Sequence, residues 1–435
     1  MNLVLLSGGS GKRLWPLSND SRSKQFLRLL DGDNQNRVSM VERVWEQIEK
    51  NGFSEKTSIA TNFSQVDMLR KQIKGNVNFI IEPTRKDTFP AIALATLYLY
   101  ETLHFKEDEV VAILPVDPYV EDKFFSQLND LEKLLKNNDF NIGLIGINPT
   151  FPSSKYGYIL PNENVKNKVN SFVEKPDEQT ASSIIKKGGM WNSGVFAFKI
   201  KYLLDYLKEN QYPLTYNDFL NAYDSMPKIS FDYEVVEKEE NIGYIKYHSY
   251  WKDLGTWNTL SEEMADDVFG NVIKQDVKST HIINELAIPV IAIDIEDLII
   301  ATSPDGILIS SKKESPKIKD LLDGVSDKPM YEEKLWGDCK VLDIVNDDVT
   351  NSSVVTKKLN IKNDIYRAGK GVDQGNYTIY VLEGTGFLNQ EGKNEIMIKS
   401  GDTINIENIE FSIAPLSELY IIEICKQNFE AVVNK

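Results

Sequence analysis

A short apolar run at residues 2–7 leads directly into a glycine-rich segment, residues 7–13 (SGGSGKR). Glycines let backbone N–H groups approach a phosphate closely, so an apolar strand followed by this loop predicts an anion-binding turn. The loop is not a Walker A motif, because Arg13 stands where that motif needs Ser or Thr. It is not the dinucleotide fingerprint either, because Leu14 occupies the position of the last glycine.

Strand and helix patterns alternate through the first half of the chain. Short apolar runs typical of strands occur at residues 58–61, 77–81, 110–116 and 142–147. Helical spacing appears between them, for example at Leu128, Leu131 and Leu135. Pro90, close after Thr88, indicates the start of another helix. This alternation predicts crossover units and a mostly parallel sheet, in which ligands bind beyond the carboxyl ends of the strands.

Length, net charge and cysteine content limit the number of domains, the class of partner and the compartment. A chain of 435 residues exceeds one ordinary core, so two or three domains are expected. The formal net charge of -16 makes nucleic acid an improbable partner and requires any phosphate site to use local cations. Two cysteines, Cys339 and Cys425, exclude a disulfide framework and predict a cytoplasmic protein. The longest nearly apolar stretch, residues 89–100, is shorter than the roughly 20 residues of a membrane span, and no secretory signal is expected.

The pattern changes after about residue 270. Apolar runs at 288–295, 298–302 and 306–310, with acidic, Pro or Gly turns between them, predict successive strands. Strands with glycine-containing turns dominate again towards the C-terminus, as in a small β-sandwich or barrel. The predicted division is a first domain at 1–270, a β-rich connecting segment at 271–325 and a β domain at 326–435.

The loop and the residues after it resemble the sugar-nucleotide pyrophosphorylases. Residues 15–17 (WPL) and 24–26 (KQF) are similar to the mannose-1-phosphate guanylyltransferase branch of that family. The resemblance implies a Rossmann-like nucleotidyltransferase domain whose loop wraps a triphosphate, with catalytic roles for Arg13 and Lys24. It also implies nucleotide-binding roles for Ser7, Gly8, Gly9, Gly11 and Lys12.

Two further segments match the nucleotide and metal sites of the family. Residues 82–91 (EPTRKDTFPA) resemble the segment near the base and ribose, which implies nucleotide-binding roles for Glu82, Arg85 and Thr88. Asp87 stands where the family usually has Asn, and Pro118 stands where it usually has His. The resemblance implies a Mg²⁺ ion held by Asp117, at the end of an apolar strand, and Asp253, in residues 251–257 (WKDLGTW). Taken alone, Asp117 before Pro118 is more typical of a turn.

Three segments resemble those that contact the sugar phosphate, namely residues 156–159 (YGYI), 173–176 (VEKP) and 191–196 (WNSGVF). They imply sugar-phosphate-binding roles for Gly157, Glu174, Lys175 and Asn192, with Lys175 also catalytic. The alternatives are a charged turn at Glu174 and an Asn-Ser-Gly turn at Asn192 between two apolar strands. Asp232 and Tyr233 lie in another family block, from which no definite role follows.

The implied reaction joins GTP to mannose 1-phosphate and forms GDP-mannose and pyrophosphate. The attacking phosphate oxygen is already ionised at neutral pH, so no general base is required, and His104, His248 and His281 lie outside the motifs. Mg²⁺, Arg13, Lys24 and Lys175 would stabilise the transition state electrostatically, and fixing both reactants in line would supply the rest of the rate.

The residues beyond 270 resemble the long, bifunctional form of the family. In that form a short β-helix-like segment, often part of a homodimer contact, precedes a cupin-like β-barrel with isomerase activity. No histidine follows His281, so this barrel is expected to hold no catalytic metal and to have no isomerase activity.

Three other functions compete with this one. One is the same chemistry with another nucleoside triphosphate or sugar 1-phosphate. Another is a non-catalytic regulatory subunit that binds a nucleotide sugar, which retention of both metal carboxylates disfavours. A dinucleotide-dependent oxidoreductase is disfavoured because the fingerprint fails at Leu14.

Overall fold

A computed structural model describes residues 1–9, 12–32, 36–322, 325, 329–347, 349, 351–369 and 375–428. The chain forms two compact units. The first contains residues 1–10, 25–66 and 72–265, and the second contains residues 11–24, 67–71 and 266–435. No helix in the described part of the chain is long and apolar enough to cross a membrane.

The first unit is a mixed α/β structure. Its strands are β1 (Asn2–Ser7), β2 (Leu30–Asp31), β3 (Arg37–Val38), β4 (Thr57–Asn62), β5 (Asn78–Glu82), β6 (Val110–Pro115), β7 (Pro118–Val120), β8 (Ile142–Ile147), β9 (Tyr158–Pro161), β10 (Val169–Val173), β11 (Met190–Lys199), β12 (Ile242–Tyr247) and β13 (Trp251–Asp253). Its helices are α1 (Met40–Lys50), α2 (Val66–Gln72, of which residues 67–71 cluster with the second unit), α3 (Thr88–Glu101), α4 (Lys123–Asn137), α5 (Glu178–Lys186), α6 (Ile200–Glu209), α7 (Tyr216–Asn221), α8 (Phe231–Glu234) and α9 (Trp257–Ser261).

The central sheet follows the order β10-β9-β11-β6-β1-β4-β5, and β8 and β12 branch from β11. Strands β5, β4, β1 and β6 pair in parallel, and so do β8 and β12. Strand β11 runs antiparallel to β6, β8 and β9. The α/β class with a parallel-rich sheet, predicted from the alternation of strands and helices, is confirmed.

Helix α3 is the apolar stretch of the sequence, and it is a core helix of the first unit. Its side chains are buried from Phe89 to Leu97, and it packs against α6, α7 and α8 as well as β5. A helix that is apolar on all sides belongs in a core. Asp87 begins the helix with a φ of 71°, and its carboxylate accepts a hydrogen bond from the backbone N–H of Thr88 at 2.8 Å.

The second unit is almost entirely β-structure. Its strands are β14 (Val268–Phe269), β15 (Val272–Lys278), β16 (His281–Asn284), β17 (Val290–Glu296), β18 (Leu298–Ser303), β19 (Gly306–Ser311), β20 (Tyr331–Lys334), β21 (Gly337–Asp347), β22 (Ser352–Ile361), β23 (Tyr366–Ala368), β24 (Asn376–Glu383), β25 (Thr385–Gln390), β26 (Ile396–Lys399), β27 (Thr403–Glu407), β28 (Phe411–Pro415) and β29 (Leu419–Asn428). Helix α10 (Ile318–Leu321) precedes β20.

Strands β14 to β18 coil as a short β-helix. Strands β14, β16 and β18 pair in parallel in one sheet, and β15 pairs in parallel with β17 in another. Val272 lies opposite Val290 and His281 lies opposite Ile299, which is the same spacing along the chain for both sheets. The β-helix-like segment predicted after residue 270 is therefore confirmed.

Strands β20 to β29 form two antiparallel sheets that enclose one core. One sheet has the order β20-β21-β22-β29-β24-β27 and the other has the order β23-β28-β25-β26. Their inner faces bury an apolar cluster that includes Leu359, Ile379, Leu388, Ile413 and Ile421. Two antiparallel sheets around one core agree with the β-rich C-terminal fold that the strand pattern predicted.

Candidate active site

A cavity of about 200 Å³ opens in the first unit where β6 ends. Five of the predicted site residues line it, namely Asp117, Gly157, Glu174, Asn192 and Asp253. Motifs spread over more than half of this unit therefore meet at one place. A polar cavity at the carboxyl end of a parallel strand is where α/β sheets bind their ligands.

Asp117 and Asp253 lie close together because β7 pairs with β13. Strand β7 begins at Pro118, directly after Asp117, and Pro118 lies opposite Asp253 in the antiparallel ladder. Opposed residues in such a ladder are about 4.5–5.5 Å apart, so Asp117 lies beside Asp253. Gly255 leaves room for this carboxylate, since a Cβ there would lie 3.1 Å from Oδ2 of Asp253. Carboxylate oxygens are the ligands that Mg²⁺ prefers.

Asn192 reaches the cavity through an irregularity in β11. The register with β8 shifts between Asn192 and Phe196, and Gly194 within this stretch has a φ of 78°. That backbone region favours glycine, which explains a bulge at this point. The expected alternative, a turn between two strands, is wrong, because residues 192–194 lie inside a single strand.

Glu174 and Lys175 form an ion pair at the cavity wall. The Lys175 Nζ lies 2.6 Å from Oε1 of Glu174, whose side chain is only 5% exposed. Burial raises the pKa of Glu174, and the neighbouring ammonium opposes that rise. Gly157 must lack a side chain, because a Cβ there would lie 2.5 Å from Oε2 of Glu174. Glu174 and Lys175 lie in a bend directly after β10, as the charged-turn alternative expected, and the Glu174 carboxylate in that bend is buried with a defined partner.

Asp232 also lines the cavity, although no definite role followed for it from the sequence. Its Oδ1 accepts a hydrogen bond from Nδ2 of Asn192 at 3.1 Å. Burial, followed by the negative charge of Glu174, raises the pKa of Asp232 to about 7. Ser230 caps the short helix α8, and Phe231 anchors it in the core, so the backbone holds this carboxylate in place. The capping serine and the aromatic residue indicate only a short helix at this point, so the sequence contained no local signal for this carboxylate.

The predicted nucleotide-binding residues at the end of β5 and after it have partners inside the protein. Glu82 is buried and accepts a hydrogen bond from the Tyr223 hydroxyl at 2.7 Å. Burial raises the pKa of Glu82 to about 7, although Tyr223 and the charge of Arg85 oppose the rise. The Thr88 hydroxyl accepts from the backbone N–H of Phe231 at 2.8 Å and so ties α3 to α8. Glu82, Arg85 and Thr88 are not among the described residues that line the cavity.

The glycine-rich loop leaves β1 with an exposed backbone. The Ser7 carbonyl accepts a hydrogen bond from the Thr61 hydroxyl at 2.9 Å. Gly8 and Gly9 are exposed, and a Cβ added to either would meet nothing within 4 Å. Gly9 has a φ of 103°, which only glycine adopts readily. An open glycine backbone at this point suits the close approach of a phosphate. Gly11 lies outside the described residues.

The predicted cations of the loop fall in the second unit. Lys12 and Arg13 form a single 3-10 turn that ends at Leu14, and Lys24 begins another that ends at Phe26. Residues 11–24 cluster with the β-rich part of the chain. Sequence order alone gave no indication that this segment packs with strands far along the chain.

Known proteins are similar to this chain in both sequence and fold. A family model described as nucleotidyl transferase matches residues 2–268. A mannose-1-phosphate guanylyltransferase of Escherichia coli is 31% identical over 380 residues, which covers 78% of this chain and 80% of that protein. One from Klebsiella pneumoniae is 28% identical over 443 residues, which covers 92% of this chain and 90% of that protein. A solved structure described as a mannose-1-phosphate geranyltransferase from Thermus thermophilus has a TM-score of 0.62, is 26% identical, and covers 74% of this chain and 98% of its own.

A parallel-rich α/β sheet with paired carboxylates and a polar cavity at the end of a central strand is the arrangement of a nucleotidyl-transferring enzyme. The chain belongs to the nucleotidyl transferase family, among relatives that are mannose-1-phosphate guanylyltransferases. The family resemblance predicted from the loop and the later motifs is therefore confirmed, and so is the prediction of an enzyme.

The raised pKa of Asp232 predicts a pH-dependent stability. A carboxyl group that keeps its proton more tightly in the folded state favours folding at low pH, and this contribution is lost as the pH rises through about 7. The free energy of unfolding of Asp232→Asn, measured relative to that of the wild type, should therefore rise by about 1–3 kcal/mol as the pH is raised from 5 to 8.5. Scanning calorimetry would show a Tm difference that grows by several degrees.

The control for this experiment is Asp205→Asn, which changes an exposed carboxylate that pairs with Lys201 on α6. Its Tm difference from the wild type should stay nearly constant over the same pH range. If the Asp232→Asn difference were equally flat, the carboxyl group would already be ionised at pH 5, and the account of its burial would be wrong.

Proposed function

We propose that this enzyme transfers a guanylyl group from GTP to mannose 1-phosphate and forms GDP-mannose and pyrophosphate. The observation that carries the proposal is the cavity in which Asp117 and Asp253 lie with Glu174, Asn192 and Asp232. Carboxylate and amide groups around a space of about 200 Å³ suit the hydroxyl groups of one hexose. The choice of GTP and mannose 1-phosphate is supported by the names of the relatives from E. coli and K. pneumoniae.

Glu174 and Asn192 are the proposed partners of the sugar hydroxyls. Asp232 accepts from Nδ2 of Asn192, which orients the amide and leaves Oδ1 with capacity to accept from a hydroxyl. Glu174 offers a second acceptor, and Gly157 provides the space beside it. Two acceptors fixed by the protein favour hydroxyl groups of one geometry, which is the basis of sugar selectivity in this proposal.

Lys175 is the proposed ligand of the sugar phosphate. Its side chain is 48% exposed, and its ammonium lies 5.6 Å from the centre of the Tyr233 ring as well as beside Glu174. Burial lowers the pKa of Lys175, but Glu174 more than offsets this and raises it, so the ammonium stays charged. A phosphate dianion would attract this charge, because hydrogen bonds between charged groups are the strong ones.

Asp117 and Asp253 fit a magnesium ion by their chemistry and their adjacency. Mg²⁺ commonly uses one or two carboxylates and completes its shell with water and substrate phosphates. The family uses divalent metal ions in general. When bound, Mg²⁺ would neutralise phosphate charge and polarise the phosphoryl oxygens.

The transfer needs no proton acceptor. An oxygen of mannose 1-phosphate forms a bond to the α-phosphorus of GTP, and the bond from that phosphorus to the oxygen bridging to the β-phosphate breaks. Pyrophosphate leaves with the electron pair of that bond. We assign the triphosphate to Ser7, Gly8, Gly9, Gly11, Lys12, Arg13 and Lys24, and the nucleoside to Glu82, Arg85 and Thr88.

We also propose three functional segments, a homodimer and a cytoplasmic location. The segments are 1–270 for transfer, 271–325 for connection and dimerisation, and 326–435 as a cupin-like domain. The dimer is supported by three isoleucines that stand 58–62% exposed on the sheet of β15 and β17, namely Ile273, Ile291 and Ile293. Exposed apolar side chains grouped on a sheet mark interaction surfaces. The cytoplasm is supported by two free, buried cysteines.

The dimer proposal predicts the effect of charge on this isoleucine surface. Ile273→Lys combined with Ile291→Lys, which lie opposite each other on β15 and β17, should halve the mass measured by light scattering, because charged residues are costly to bury at an interface. Gln179→Lys, at an exposed position on α5 in the first unit, is the control and should leave the mass unchanged. A wild-type protein that is monomeric at micromolar concentration would refute the proposal.

Substrate choice is tested by pyrophosphate release with Mg²⁺ and mannose 1-phosphate, with GTP, ATP, UTP, CTP and dTTP assayed in parallel. GTP should give the highest kcat/KM by at least about tenfold, a difference of about 1.4 kcal/mol in transition-state binding. Equal or faster release with another nucleotide would move the substrate assignment. No release with any nucleotide would refute the proposed function.

The metal assignment is tested by Asp117→Asn and Asp253→Asn, which keep the side-chain shape and remove the charge. Each should lower kcat by at least about 10²-fold, the scale of losing one electrostatic group in an active site. Asp130→Asn, at an exposed carboxylate on α4, is the control and should stay near the wild type. Near-normal turnover in either cavity variant, with an unchanged Tm, would contradict the assignment.

A further inference from the structure

Arg22 is a cation whose side chain is only 12% exposed and which the proposed reaction does not use. Its Nη1 and Nη2 lie 2.8 and 2.9 Å from the two carboxylate oxygens of Glu285. Its Nε lies 3.4 Å from Oε1 of Glu333, and its guanidinium lies 5.6 Å from the centre of the Tyr331 ring. Burial lowers the pKa of Arg22, but Glu285 and then Glu333 more than offset this and raise it above its ordinary value. The two parallel hydrogen bonds to Glu285 therefore fix the orientation of the Arg22 guanidinium as well as its position.

Asn19 adds a second contact between the same parts of the chain. Its Nδ2 donates to Oδ2 of Asp305 at 2.8 Å and to the Tyr331 carbonyl at 2.9 Å. Its Oδ1 accepts from the backbone N–H of Arg22 at 2.8 Å, so the amide also orders the turn that carries Arg22. The other oxygen of Asp305 accepts from the backbone N–H of Met330 at 2.6 Å.

The turn between β18 and β19 makes a third contact, which is largely apolar. The Ser303 hydroxyl donates to the Pro16 carbonyl at 2.6 Å. Gly306, with a φ of 154°, lies against the indole of Trp15. The packing is so close that a Cβ on this residue would lie 2.3 Å from Cζ2 of Trp15. Only glycine allows this close packing of a ring on the backbone.

The residues that make these contacts lie, along the chain, between Arg13 and Lys24, the two cations assigned above to the triphosphate. Trp15, Asn19 and Arg22 lie along the chain from Arg13 to Lys24. Their partners come from the β-helix-like segment and, through Tyr331 and Glu333, from the first strand of the C-terminal sheets. Glu333 also pairs with Lys71 of α2 at 3.0 Å. A loop held at several points by side chains from two other segments has few alternative conformations.

We propose that Arg22, Asn19 and Glu333 are positioning residues that hold residues 12–24 in the conformation that binds the nucleoside triphosphate. The inference rests on the proposed function, since it takes Arg13 and Lys24 as the triphosphate cations. It gives the C-terminal sheets a part in nucleotide binding through β20. Small displacements of charged groups cost large factors in rate and affinity, so a loosened loop should weaken nucleotide binding in particular.

The test uses the full chain and compares Glu333→Gln with Glu332→Gln. Both substitutions remove one carboxylate from β20, but Glu332 pairs with Lys334 of the same strand, at 3.5 Å. Hydrogen exchange of residues 12–24 and the Kd of Mg·GTP by calorimetry are measured in each. Glu333→Gln should speed exchange in residues 12–24 and weaken GTP binding by at least about fivefold. Its Tm and its KM for mannose 1-phosphate should match those of Glu332→Gln.

A second variant, Arg22→Lys, keeps the charge but loses the paired hydrogen bonds, and it should change the same two quantities in the same direction. Exchange and GTP affinity equal to those of Glu332→Gln in both variants would overturn the inference. So would equal losses for GTP and mannose 1-phosphate with a lowered Tm, since that is general damage. A wild-type protein that binds GTP but releases no pyrophosphate would refute the proposed function alone.

Discussion

The site depends on strand pairing and packing that hold several carboxylates in one cavity of a strongly acidic chain, although the proposed ligand, a sugar phosphate, is itself an anion. Asp117, Asp253, Glu174 and Asp232 all line it, in a protein whose formal net charge is -16. Like charges in one cavity repel, and burial makes the repulsion stronger because the local dielectric constant is low. The negative charge of Glu174 accordingly helps to raise the pKa of Asp232. The fold keeps them there through strand pairing and packing, and the proposed substrates are bound by local cations.

Each of these carboxylates is stabilised in a different way. The pairing of β7 with β13 fixes Asp117 beside Asp253, where a divalent cation would balance both charges. Glu174 has the ammonium of Lys175 as its partner. Asp232 has an amide partner, Asn192, and its pKa of about 7 means that it often holds a proton at neutral pH. This division leaves Asn192 and Glu174 as fixed acceptors beside the proposed metal site.

The sequence was sufficient for those parts of the fold and site that are built locally. Strand β1 and the loop after it follow from a short apolar run and glycines, and α3 follows from Thr88, Pro90 and the apolar residues after them. The bulge in β11 and the role of Asp232 depend on which strands and helices pack together, so no local pattern indicated them. The same holds for Arg22, whose partner Glu285 is 263 residues away along the chain.

The most direct test of the account is an experimental structure of the full chain with GDP-mannose and Mg²⁺. We predict that the mannose ring contacts Glu174 and Asn192 and that the metal lies between Asp117 and Asp253. We also expect the diphosphate within reach of Lys175 and the loop cations. A mannose ring bound outside this cavity, or a metal held by other residues, would contradict the assignment of the site.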